Sequence, residues 1–238
     1  MSTHSRPAAD RIVTALRGIF GHRLRSVVAY GPHADNGSGD LAEPFSCIAV
    51  VTSLTMADLE ASAARTQDWT RHHIATPLLL VEDEFRRSLD AFPLEYAEIL
   101  RAHQVLFGSN PFAGVSIDLA DLRRACETQI KSHLVHLREA YIEAGGTPRA
   151  IADLVTASVP AFGALLRNIA RLNGSTGADR ATATREGARA ADLPDGLVAS
   201  IIALERPSTV RAVDAARLFP EYLAAVEQLA RYVDSWRV

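Results

Sequence analysis

The sequence predicts an α+β protein: a small mixed sheet with interleaved helices, followed by an all-helical bundle. Three observations carry that prediction. Residues 24–51, LRSVVAYGPHADNGSGDLAEPFSCIAVV, read as strand, glycine-marked loop, strand. Short apolar strand runs then alternate with helical runs up to about Val115, the pattern of a sheet covered by helices. From Ser116 no strand pattern recurs, and apolar residues step by three or four. The expected domains are residues 1–115 and 116–238.

Taken in order, residues 7–20 predict a helix, with Ile12, Leu16 and Ile19 at helical spacing and Gly21 as its stop. Residues 24–30 form a strand whose continuous Val27-Val28-Ala29 run suits burial on both faces. Gly31-Pro32 ends it, and Asp35, Asn36, Gly37, Gly39 and Asp40 supply turn chemistry. Residues 45–51 are the second strand. Residues 56–72 predict one helix, capped by Thr55 with Asp58 three residues on, its inner face Met56, Leu59, Ala63 and Trp69. Thr76 to Val81 reads as a third strand, and Glu82-Asp83-Glu84 opens a short helix. Residues 96–108 read as strand, tight turn, strand.

In the second half, Leu119, Leu122, Cys126, Ile130, Leu134, Leu137 and Tyr141 mark one face of a long helix ended by Gly145-Gly146. Thr147-Pro148 starts the next, to about Leu172, with Pro160 inside it. Helices over residues 179–191, 196–204 and 208–236 complete the bundle, in which Phe162, Tyr222 and Trp236 are assigned to packing.

Composition narrows the function. A net charge of −3 gives no electrostatic case for nucleic-acid binding by the whole protein. Cys47 and Cys126 match no metal or redox spacing and are expected as buried thiols. The N-terminus lacks an apolar signal segment, and no apolar run approaches the roughly 18 residues of a membrane span. A cytoplasmic protein without membrane partners is expected.

The strand ending in Tyr30-Gly31, the polar loop and the hydrophobic second strand resemble the minimal nucleotidyltransferase domains of bacteria, in the polymerase-beta-like superfamily. ILRAHQVLFG (residues 99–108) resembles the hairpin closing that sheet, and FPLEYAEI (residues 92–99) the lead-in of one bacterial subgroup. The C-terminal helices are similar to the helical domain that accompanies these transferases. The resemblance implies metal-assisted nucleotidyl transfer. A Gly-Ser pair would approach the triphosphate, an Asp-x-Asp pair on the second strand would bind two divalent metals, and a third carboxylate would follow on a later strand. Magnesium requires such hard anionic oxygens.

This sequence departs at each step. Gly31 matches, but Pro32 offers neither hydroxyl nor backbone N–H. The acidic pair falls on Phe45 and Cys47, and the third strand carries Leu78, Leu79 and Leu80; a phenyl ring cannot bind magnesium, and a thiol is too soft. No catalytic or metal-ligating residue is therefore assigned, and no cofactor is expected. The expected function is a nucleotidyltransferase-fold binding or regulatory module. The alternative is an active magnesium-dependent transferase, acting on a small molecule or protein, that recruits Asp35, Asp40, Glu43, Glu82, Asp83 or Glu84 instead.

Arg124, Lys131 and Arg138 recur every seven residues, widened by Arg123. They read either as a solvated helix face or as a groove for a nucleotide or acidic partner. With Gly31, Arg124 and Lys131 are the candidate nucleotide-binding residues, by position. His133 and His136 are neighbours on one helix; packing or surface roles are favoured over a metal pair. The expected partners are a nucleotide or a protein, with a homodimer through the helical half as one form.

Overall fold

The computed structural model describes residues 5–34, 43–175, 179–205 and 212–236, with side chains from residue 216 in the last stretch. The chain divides into two compact units, Met1–Ile117 and Asp118–Val238.

In the first unit, helix α1 (Arg6–Phe20) buries Ala9, Ile12, Leu16 and Phe20 and ends at Gly21, whose φ is +54°. Strand β1 (Leu24–Tyr30) is central. It pairs antiparallel with β2 (Ser46–Val51) and with β4 (His103–Gly108), and β3 (Leu78–Val81) runs parallel to β2, giving the order β3-β2-β1-β4. Successive side chains alternate between the two faces. Val27, Ala29, Phe45, Cys47, Ala49 and Val51 face the core that α1 and Trp69 complete. Val28, Ile48 and Val50 face a second core with Phe85, Tyr96, Ile99 and Phe112. The apolar run of β1 is thus buried on both sides, as its sequence predicts.

Two expectations are corrected here. Residues 96–108 are not a hairpin: Pro93–Arg101 is helix α5, and only His103–Gly108 is strand. Pro93 occupies the first turn, and Leu94, Tyr96, Ala97 and Ile99 are buried, so the short apolar run follows the helical period. Residues 56–72 form two helices, α2 (Met56–Ala63) and α3 (Thr66–Arg71). Thr55 and Asp58 make the expected reciprocal cap. Met56 and Leu59, expected inside, are 68% and 43% exposed, and Ala63 is exposed too. Asp58 and Ser62 turn inward instead, because Arg23 grips both oxygens of Asp58 at 2.7 and 2.6 Å. Trp69 is buried as expected. Glu82–Arg87 forms the short helix α4.

The second unit is helical throughout its described residues. It comprises α6 (Leu119–Glu143), α7 (Pro148–Leu172), α8 (Arg180–Ala190), α9 (Asp195–Leu204) and α10 (Ala212–Ser235). The expected start of the last helix at Ser208 lies outside the described residues. Asp118 caps α6 by accepting from the N–H groups of Ala120 and Asp121. Leu122, Cys126, Ile130 and Leu137 are its buried stripe, whereas Leu119 and Tyr141, expected on that stripe, are exposed near its ends. The Tyr141 ring stacks on Phe219 at 4.3 Å.

Helix α7 packs against α6, α8 and α10. By length and composition it is apolar enough to cross a membrane, which corrects the expectation that no segment would be. Its Val155, Val159, Phe162, Leu165, Leu166 and Ile169 are buried in this unit. Inside the bundle Arg167, 4% exposed, bonds Glu205 at 2.9 Å, the partner that a buried cation requires. Phe162 and Tyr222 are core residues, and Trp236 is partly buried beside Tyr232.

Candidate functional site

The turn after β1 is where the resemblance implies that a triphosphate would approach. Gly31 has φ +75°, a conformation that glycine adopts without strain, and among the described residues nothing lies within 4 Å of where a Cβ would stand. Gly31, Pro32 and His33 form one tight turn, closed by the Ala34 N–H donating to the Gly31 carbonyl at 3.0 Å.

His33, which sequence reasoning missed, is the pin of this turn. It is buried, its Nδ1 lies 3.0 Å from Ser5 Oγ, and its Nε2 lies 2.6 Å from the Glu43 carbonyl. A carbonyl only accepts, so Nε2 carries the proton toward Glu43, while Nδ1 shares a hydrogen bond with the Ser5 hydroxyl. One imidazole thereby ties the start of α1, the turn and the approach to β2. Its ring lies against Phe45, centroids 5.7 Å apart. The only hint in the sequence was a polar residue two places after Gly31. Asp35, Asn36, Gly37, Gly39 and Asp40 lie outside the described residues.

The metal-ligand positions are core. Phe45 and Cys47 are each 1% exposed. The Phe45 backbone is locked to the chain before β3, its N–H donating to the His73 carbonyl at 2.8 Å and its carbonyl accepting from Ala75 N–H at 2.9 Å. Burial pushes the Cys47 thiol up to about 12, so it stays protonated at neutral pH. A shift of register brings no acid: the residues of β2 facing the other way are Ser46, Ile48 and Val50, and β3 is Leu78-Leu79-Leu80-Val81. Tyr30 stands opposite Ser46, its phenol pushed up chiefly by burial and further by the nearby Cys47. These donors do not fit magnesium.

The alternative carboxylates among the described residues are at the surface. Glu43 is exposed. Glu82, Asp83 and Glu84 are exposed on the first turn of α4, where Glu84 accepts from the Val81 N–H at 3.3 Å and Glu82 lies 4.0 Å from Arg86. Among the described residues no group of three or more His, Cys, Asp or Glu side chains is arranged to hold a metal ion.

The basic stripe of α6 is matched by acids. Arg124 pairs with Asp121, Lys131 with Glu127 at 2.7 Å and Asp234 at 2.8 Å, Arg138 with Glu227 at 2.5 Å, and Arg123 with Glu127 at 3.7 Å. The hydrogen bonds from Lys131 to Asp234 and Glu127 hold its ammonium above its ordinary value. His133 turns inward to Tyr222, its Nε2 2.9 Å from the hydroxyl, while His136 stays exposed beside Glu139 at 3.1 Å.

No protein-family model matches this sequence, and no curated protein matches it. Among solved structures the chain is similar to the spectinomycin adenyltransferase AAD(9) from Enterococcus faecialis, solved with ATP and spectinomycin. The match has a TM-score of 0.62 at 13% identity and covers 97% of this chain and 99% of that one. At that identity the likeness is one of fold, a small mixed sheet followed by helices, and it agrees with the fold that the sequence resemblance implied.

Proposed function

We propose that this nucleotidyltransferase-fold chain has lost metal-dependent transfer and serves in the cytoplasm as a nucleotide-binding or regulatory module. The observation that supports this most directly is the burial of Phe45 and Cys47 in the core, with β2 and β3 free of carboxylates on either face. Two metal ions would need several anionic oxygens at one point, and a relocated pair would have to leave this sheet.

The open turn at Gly31 remains suited to close approach by a phosphate. ATP is the first nucleotide to test, because the similar adenyltransferase was solved with it. Arg124 and Lys131 are the proposed contributors of positive charge. Each already holds a carboxylate, so each adds charge only by exchanging that partner. A protein partner or a second copy meeting the helical unit is the proposed regulatory output.

The test combines binding and transfer. Melting temperature is followed with ATP, GTP, CTP and UTP, with magnesium and with chelator. A nucleotide that binds only the folded state at 100 times its Kd adds about 2.7 kcal/mol of stability. ATP is expected to stabilise the protein with or without magnesium. Labelled ATP with magnesium or manganese is expected to leave spectinomycin and the protein unlabelled. Transfer that disappears in Glu82→Gln or Asp40→Asn would establish an active enzyme using relocated acids. No stabilisation by any nucleotide would remove the nucleotide from the reading.

A further inference from the structure

Helix α1 opens on a serine that does not use its side chain as a cap. Ser5 stands at the N-cap, and its carbonyl accepts the Ala9 N–H at 3.0 Å, yet its hydroxyl makes no capping hydrogen bond. A serine there ordinarily satisfies one of the free N–H groups of the first turn. Here Oγ lies 3.0 Å from His33 Nδ1, 28 residues along the chain. Both residues are enclosed, Ser5 3% and His33 7% exposed.

The shape of the Gly31 turn depends on that imidazole. Pro32 has no N–H to give, and the backbone closes the turn with the Ala34 N–H donated to the Gly31 carbonyl. The His33 side chain adds two ties, to Ser5 on one side and, through its Nε2–H, to the Glu43 carbonyl at 2.6 Å on the other. Phe45 backs the ring and is itself fixed by its backbone bonds to His73 and Ala75. The residue that stands where a metal-binding acid would be is thus the wall against which the imidazole is held. An enclosed polar atom that loses its partner is costly, so Ser5 in place favours one ring position. That position fixes His33, the third residue of the turn.

We infer that Ser5 and His33 couple the seating of the first turn of α1 to nucleotide affinity at the Gly31 turn, with His33 as the positioning residue. A protein partner that draws residues 5–9 out of the core releases the imidazole and weakens nucleotide binding. Coupling between binding events is reciprocal, so bound nucleotide also holds the start of α1 in place. This coupling rests on nucleotide binding at Gly31, as proposed above, and adds its regulation.

ATP binding to the full chain is measured by calorimetry in chelator, and exchange of the Ala9 amide by NMR. Ser5→Ala removes the hydroxyl and keeps the carbonyl that receives Ala9. It should stay folded and bind ATP about fivefold more weakly, the scale of one hydrogen bond. His33→Phe drops both ties and should lose about tenfold or more. Thr14→Ala removes a hydroxyl that bonds the Asp10 carbonyl on the exposed side of the same helix, and should bind as wild type does. The end of a helix exchanges by local opening, which a ligand bound elsewhere slows only if the two are coupled. ATP should therefore slow Ala9 exchange severalfold in wild type and leave it unchanged in Ser5→Ala. A wild type that binds no ATP overturns the nucleotide reading and this coupling together. Equal ATP affinity in wild type and Ser5→Ala, an equal loss in Thr14→Ala, or Ala9 exchange indifferent to bound ATP overturns the coupling alone and leaves nucleotide binding standing.

Discussion

Replacing Cys47 with aspartate restores one member of the Asp-x-Asp pair and tests whether that position is a dormant metal site or dry core. The cost can be worked from the thiol already there. Burial holds the Cys47 thiol at about 12 against an ordinary 9.0. A carboxyl displaced as far from its usual value of about 3.9 would titrate near 7. At about 1.4 kcal/mol for each pH unit of difference, the folded state of Cys47→Asp loses roughly 4 kcal/mol at pH 7. That is a large share of the about 5–15 kcal/mol that holds a domain together.

The sign follows from the raised folded-state pKa. The penalty is absent below the unfolded value near pH 4, grows as pH rises, and levels off above about pH 7. Urea denaturation at pH 5 and pH 8, with Cys47→Ala as the uncharged control, measures it. Cys47→Asp should approach the control at pH 5 and fall well below it at pH 8, and manganese should recover nothing. An equal penalty at both pH values, or stability restored by manganese at pH 8, would refute the claim that this is apolar core.

Two more outcomes follow from other contacts. Asp58 is held well below the usual carboxylate range, first by its hydrogen bonds from Arg23 and then by those from Thr55. Its contribution is therefore present above about pH 4 and lost as pH falls below that. Asp58→Asn should destabilise the protein at pH 7 and flatten the acid limb of a stability–pH curve measured by thermal melting. At Gly187 in α8 an added Cβ would stand 1.8 Å from the Leu166 carbonyl oxygen of α7. Backbone cannot rotate away as a side chain can, so Gly187→Ala should cost about 1–3 kcal/mol, even after the gain in helix propensity of about 1 kcal/mol. Gly196→Ala in α9 meets nothing within 4 Å among the described residues and should be neutral or stabilising in the same urea titration.

Read alone, the sequence determined what depends on neighbours along the chain. Thr55 with Asp58 and Gly145-Gly146 mark helix ends because caps and stops involve residues within one turn. The doubly buried run of β1 and the four-residue steps of α6 are periodicities, so they too are local. The absence of acids at Phe45, Cys47 and Leu78–Leu80 was legible for the same reason: residue type alone excludes magnesium.

Only the tertiary structure decided what depends on distant partners. Met56 and Leu59 face outward because Arg23, 35 residues before Asp58, draws that carboxylate inward. Residues 96–101 are helix, not strand, because an apolar run that short satisfies either period until a core selects one. Lys131 is matched by Asp234, Arg138 by Glu227 and His133 by Tyr222, all contributed by α10 from about ninety residues or more along the chain. His33 acquires its role from Ser5 and Glu43. A charge or an imidazole has its function set by what lies within a few ångströms of it, and sequence spacing does not carry that information once the chain has turned back on itself.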